Sequence, residues 1–183
     1  MTDTPEILRL IGDLIRIGTI AEVDLKAARC KVTVGEITTP PLPWLAPRAG
    51  GSRIWSPPSI GEQVILLCPE ADIALGLVVT GLFSDQNPAP ASEDIMLLTF
   101  SDGAVLTYDP GAHRLSASLP AGGAARIHAP GGIEIEGDVR INGTLSVTGL
   151  TESNEDVKAA GISLKDHRHG SVASGSAVSG APQ

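Results

Sequence analysis

The chain has 183 residues, is 42% apolar but only 3% aromatic, and carries 21 Gly, 14 Pro and a net charge of −8. That glycine and proline content disfavours a helical bundle and favours short strands joined by many turns. The acidic balance and the lack of any Lys/Arg cluster argue against a nucleic-acid binder or a polybasic membrane-surface protein, since both need a basic face.

Residues 5–16, PEILRLIGDLIR, space Ile7, Leu8, Leu10, Ile11, Leu14 and Ile15 as one apolar stripe of a helix. Thr4 suits the cap and Pro5 the first helical position. A helix this short is marginal alone, so it is expected to pack on a partner or on the next domain. The start lacks a basic segment followed by a long apolar stretch, and no run of 18 apolar residues follows. Synthesis in a cytosol without a signal peptide is expected.

Residues 17–83 read as all-β. IGTIAEVD (17–24) and RCKVTV (29–34) form a hairpin around LKAA, and SIGEQVILLCP (59–69) and ALGLVVTGLF (74–83) are apolar strands. TTPPLPWLAPRAGG (38–51) is too rich in proline for a central strand and is expected as a loop or edge. About five short strands at roughly ten-residue spacing suggest a small barrel. Cys30 and Cys68 each sit in a strand-like run and read as small core residues. Trp44 and Trp55 fit core packing or partner contact, and core packing is preferred. SDQNPAPAS (84–92) is a natural linker.

IMLLTFSDGAVLTYD (95–109) reads as a second hairpin turning at SDG. The clearest repeat then follows: GGIEIE, GDVRIN, GTLSVT, with Gly131, Gly137, Gly143 and Gly149 six residues apart. Between the glycines the odd positions hold Ile133, Ile135, Val139, Ile141, Leu145 and Val147, and no even position is apolar. Period two is the signature of a strand with one apolar face. Three hexads amount to about one solenoid coil, which is not stable alone because neighbouring repeats must cover each other. No other segment has matching hexads, so identical chains are expected to cover the face, three of them around one axis. The competing reading is an ordinary sandwich strand pair with glycine bulges.

KDHRHG (165–170) follows, with His167 and His169 one residue apart. Taken with GTIAEVD (18–24), LPWLAPRAGG (42–51), WSPPSIGEQVILLCP (55–69), GLFSDQNPAP (81–90), the hexads (131–149) and ISLKDHRHG (162–170), the order of elements resembles the phage baseplate assembly protein V family. These are the central spikes of contractile tails and tail-like bacteriocins. The resemblance spans nearly the whole chain. It implies an all-β homotrimer with an arm or helix over 1–16, an OB-fold barrel over 17–92, a triple-stranded β-helix over 93–160 and a small apex over 161–183. It further implies docking of the barrel end on the baseplate or tail hub, and an apex driven through the target cell's outer membrane when the sheath contracts. The location implied is the tip of a virion or tail-like particle.

In the family, apex His-x-His pairs from three chains hold one iron ion, and here that pattern falls on His167 and His169. The residue chemistry agrees. In an extended chain residues i and i+2 point the same way, and two imidazoles from each of three chains make six nitrogens. That suits an octahedral ion such as iron(II), cobalt or nickel better than tetrahedral zinc, and availability favours iron. A filled shell of six His leaves no open position, so the ion is expected to staple chain ends rather than to catalyse. Further ions inside the shaft are compatible with this reading. His113 and His128 are isolated and read as outward or turn positions. Asp166 is a candidate to orient a ring from behind.

Two other functions compete. Hexad repeats with a catalytic His occur in left-handed β-helix acyltransferases, but those build solenoids from many hexads. A tip adhesin would want aromatic platforms, and no aromatic residue lies beyond Tyr108. No enzyme activity and no nucleic-acid partner are expected.

Overall fold

A computed structural model describes residues 4–167 and residue 175. The helix α1 runs Thr4–Asp13 and the first strand, β1, runs Ile15–Asp24. Arg9 on the polar side of α1 pairs with Glu6 at 2.9 Å and Asp13 at 3.0 Å. Ile7, Leu8 and Ile11 on the other side are exposed. The end of α1 is tied down where Cys68 N donates to Leu14 O at 2.8 Å. Among the described residues no helix is long and apolar enough to cross a membrane.

Four further strands complete the first sheet: β2 (Arg29–Val34), β3 (Ile37–Thr38), β4 (Gln63–Leu67) and β5 (Leu77–Leu82), in the order β3-β2-β1-β4-β5. All neighbours are antiparallel. β1 serves two partners, pairing β4 through Ile15–Thr19 and β2 through Thr19–Asp24. The strand bends at a bulge where Ala21 is extra between Ile20 and Glu22, which sharpens the local twist. Gly18 sits where β1 has no room for a side chain against β2. A Cβ there would lie 2.5 Å from Val32 Cγ1 and 2.8 Å from Thr33 O, so only glycine lets the strands approach.

The proline-rich segment closes this sheet into a barrel. Leu42 exchanges both backbone hydrogen bonds with Cys30, at 2.8 and 2.9 Å. Two residues on, Val78 N donates to Pro43 O at 3.0 Å and Leu45 N donates to Val78 O at 2.7 Å. The segment thus bridges β2 to β5, using proline only as an acceptor, where its missing N–H costs nothing. Thr39 is buried and replaces a ladder bond with its side chain, accepting from Val32 N at 3.0 Å. Inside lie Ile20, Cys30, Val32, Leu42, Val64, Leu66, Cys68 and Val78, all nearly fully buried. Both cysteines are reduced core residues, as their strand context predicts.

The outer face of β1, β4 and β5 is apolar as well. The register aligns Ile15, Leu67 and Leu77 in one row and Ile17, Ile65 and Val79 in the next. Ile15, Ile17, Leu67 and Leu77 are exposed.

A three-stranded meander follows, β6 (Met96–Thr99), β7 (Val105–Asp109) and β8 (Arg114–Ser118). The SDG turn connects its first two strands as expected, with Gly103 at φ +89°, a value that favours glycine. The barrel and meander belong to one compact unit ending at Arg126, and a second unit begins at Ile127.

Candidate functional site

The second unit carries both features that the sequence singles out. The first is the hexad segment. No strand lies between β8 and the next two-residue strand, β9 (Lys158–Ala159). Among the described residues, the one backbone bond that 124–156 forms between main-chain groups runs from Gly132 N to Ala129 O at 2.9 Å. Ile133, Ile135, Val139, Ile141, Leu145 and Val147 are between 51% and 67% exposed. Among the described residues, a segment with strand-type alternation therefore covers neither its apolar row nor its backbone. The hexad glycines have nothing within 4 Å of where a Cβ would stand, so no crowding by the chain itself explains them. At Gly137 the backbone itself accounts for the residue, with φ +129°.

The second feature is the hairpin of β9 and β10 (Ile162–Ser163). Its turn residues Ala160 and Gly161 both have positive φ, 50° and 84°, the conformation of primed turns that match strand twist. Leu164 N donates to Val157 O at 2.9 Å and extends the ladder beyond the two strands. Asp156 clasps the open end: its Oδ1 accepts from Lys165 N at 3.2 Å. Desolvation acts to raise the Asp156 pKa, but hydrogen bonds from the Ser163 side chain and the N–H groups of Lys165, Val157 and Leu164 outweigh it and lower the value.

These contacts lead to His167. Asp166 N donates to Ser163 Oγ at 2.9 Å, closing a turn over Ser163–Asp166. His167 Nδ1 then lies 3.0 Å from Ser163 O and 3.2 Å from Leu164 O. Carbonyl oxygens only accept, so Nδ1 must carry the proton and donate. In the neutral ring Nε2 then holds the lone pair. His169 lies outside the described residues. Among the described residues no group of three or more His, Cys, Asp or Glu is close enough to hold a metal.

Sequence reasoning missed Asp156 and Ser163. Their only signal was an acid just ahead of a short hairpin and a Ser at its end, a pattern found in many turns. It also preferred core packing over partner contact for Trp55, whereas Trp55 is 60% exposed. Only Trp44 leans on the barrel core. His113 falls in a turn and is exposed, and His128 is exposed. A cavity of about 610 Å³ lies beside β7 and β8 and is lined by residues that include Glu93, Asp94, Asp109 and Arg114. Asp109 already caps its own turn there, accepting from Ala112 N at 3.0 Å.

Residues 16–83 match the family described as the Type VI secretion system/phage-baseplate injector OB domain. Over 119 residues the chain is 40% identical to a curated "Spike protein" of Escherichia phage P2, an alignment covering 64% of this chain. It spans 56% of the length of that relative.

Proposed function

We propose, from the match of its barrel to the phage-baseplate injector OB domain and its likeness to a phage spike protein, that the chain is one subunit of a trimeric spike at the tip of a contractile tail. In this reading the spike associates with the baseplate or tail hub through its barrel end. Sheath contraction drives the opposite end through the target cell's outer membrane. The role is mechanical, and neither acyl transfer nor tip adhesion is needed to account for the hexads.

The observation that carries the proposal is the unpartnered hexad segment. Six aliphatic side chains stand in water in one copy, and each contributes about 1.5–3 kcal/mol when fully covered. Further copies of the same segment supply both that cover and the missing strand partners, and closing strands around an axis leaves no free edge. The exposed aliphatic rows on β1, β4 and β5 favour self-association of the barrels too.

The family likeness implies an iron ion at the apex, and the part of that site on the described residues is His167. His167 Nδ1 lies against two main-chain carbonyls, the kind of backbone contact that orients a metal-bound imidazole. His167 and His169 from three chains are the proposed ligands. The ion would supply a crosslink with no redox or hydrolytic step. What this chain contributes is a hairpin, closed by Asp156, that holds the His167 ring in one orientation.

Light scattering tests the assembly. The expected mass is three times the 18.8 kDa of one chain, and a monomer would overturn the proposal. Metal analysis of the same sample should give one ion per three chains, with iron above zinc. Changing His167 and His169 together to Ala should remove the ion and leave the trimer. One ion per chain would rule out the shared site.

A further inference from the structure

Independently of the hexads and the apex, the barrel carries an aromatic cavity whose rim is opposite in charge to the chain. The cavity measures about 290 Å³, with Trp44, Trp55 and Ile54 among its apolar lining and Arg29, Arg48 and Arg53 as its charges. The two indoles are 5.5 Å apart between ring centroids, with planes inclined by 54°. The loop that presents them is fixed rather than free. Ile54 N donates to Arg48 O at 3.0 Å, Ala49 bridges Arg53, and Arg53 Nε donates to Gly50 O at 3.2 Å. Arg29 reaches in from β2, with Nη1 donating to Ala28 O at 2.9 Å.

None of these three guanidinium groups forms an ion pair with a carboxylate among the described residues, where the pairs engage Arg9, Arg16 and Lys31 instead. Residues 37–61 contain no Asp or Glu, although the chain as a whole stands at −8. The acid surplus lies elsewhere, and the remaining N–H donors of the three arginines surround an apolar floor. Trp and Arg are the residue types that most often carry interface energy. The planar guanidinium fork matches a carboxylate.

We propose that this cavity docks a segment of a partner protein that carries Asp or Glu beside an aliphatic residue. The aliphatic side chain packs against the two indoles, and the carboxylates meet the arginine rim. Nucleic acid is the poorer occupant. A long polyanion would run from the local positive rim onto the acidic remainder of the chain.

Both tryptophans of the chain line this cavity, so tryptophan fluorescence of the full-length protein, excited at the red edge where Tyr108 does not absorb, reports on this site alone. The probe is the acetylated, amidated pentapeptide DLELD, titrated beside its neutral counterpart NLQLN and an oligothymidylate. A saturable fluorescence change is expected with DLELD, weakening with added salt. Binding should fall by about tenfold or more with NLQLN, or with DLELD on the Arg48→Gln/Arg53→Gln variant. Both arginines are exposed on the loop, so an unchanged thermal midpoint certifies the variant's fold. Equal binding of the two peptides, full binding by the variant, tighter binding of the oligothymidylate, or no saturable response to DLELD up to roughly millimolar concentration would each overturn the proposal.

Discussion

At Cys30 and Cys68 burial decides the chemistry. Desolvation is the leading cause raising both thiol pKa values. The charge of Glu62 adds to it at Cys30, and Asp13 and Asp72 add to it at Cys68 against the opposing Arg16. The thiolate is the reactive form, so neither cysteine should react with a thiol reagent in the native protein at pH 8. Both should react on denaturation, and a titration that finds one fast thiol in the native state would contradict the barrel core. Asp156 behaves in the opposite sense. Its hydrogen bonds lower its pKa from an ordinary 3.8, so the clasp stabilises the hairpin at every pH above the unfolded value. That stability is lost as pH falls through the depressed folded value. The Lys165 amide resonance should therefore hold steady down to the ordinary carboxylate range and move only below it. In Asp156→Asn that transition should vanish.

Among the elements, β1 is the one whose sequence demands most of its neighbours. Gly18→Ala places a methyl against Val32 and the Thr33 carbonyl. Backbone cannot move aside as a flexible side-chain end can. A loss of about 1–3 kcal/mol is expected from such overpacking, measured as a shift of the denaturant midpoint with unchanged slope. The strands themselves were legible beforehand as apolar runs bounded by turns, and in RCKVTV alternation also picks out Cys30 and Val32 as the buried pair. Barrel closure was not legible. Proline speaks against a strand, yet Pro43 needs only its carbonyl to join β5, and no periodicity marks a residue that acts as an acceptor alone. The hidden part of the apex has the same origin. His167 stands out by its spacing from His169, whereas Asp156 acts through backbone amides that carry no side-chain signature. Trp55 misleads because a large apolar residue in a barrel segment is usually buried, and here it faces a cavity open to solvent.

For the whole molecule the test is whether the hexad row faces other chains. Ile141→Asp would place a carboxylate in the covered row of the proposed trimer. A buried, unpaired charge of this kind costs about 3 kcal/mol or more in each chain. Scattering mass should drop toward that of one chain while the barrel keeps its thermal transition. Glu134→Lys, at an outward even position, should leave the mass unchanged. Equal behaviour of the two variants would mean that the hexads do not form the interface.

Because β1, β2, β4 and β5 pair within one chain while residues 124–156 find no strand partner among the described residues, a polypeptide bound for the proposed trimer matures on two clocks. The barrel closes by a unimolecular process that dilution does not slow. In the proposed trimer the hexad segment waits for encounters, so its rate rises with the amount of protein made. Early in expression, the pool should consist of single chains with finished barrels and open aliphatic stripes. Such chains are vulnerable to proteases and to mismatched partners until synthesis outruns that loss.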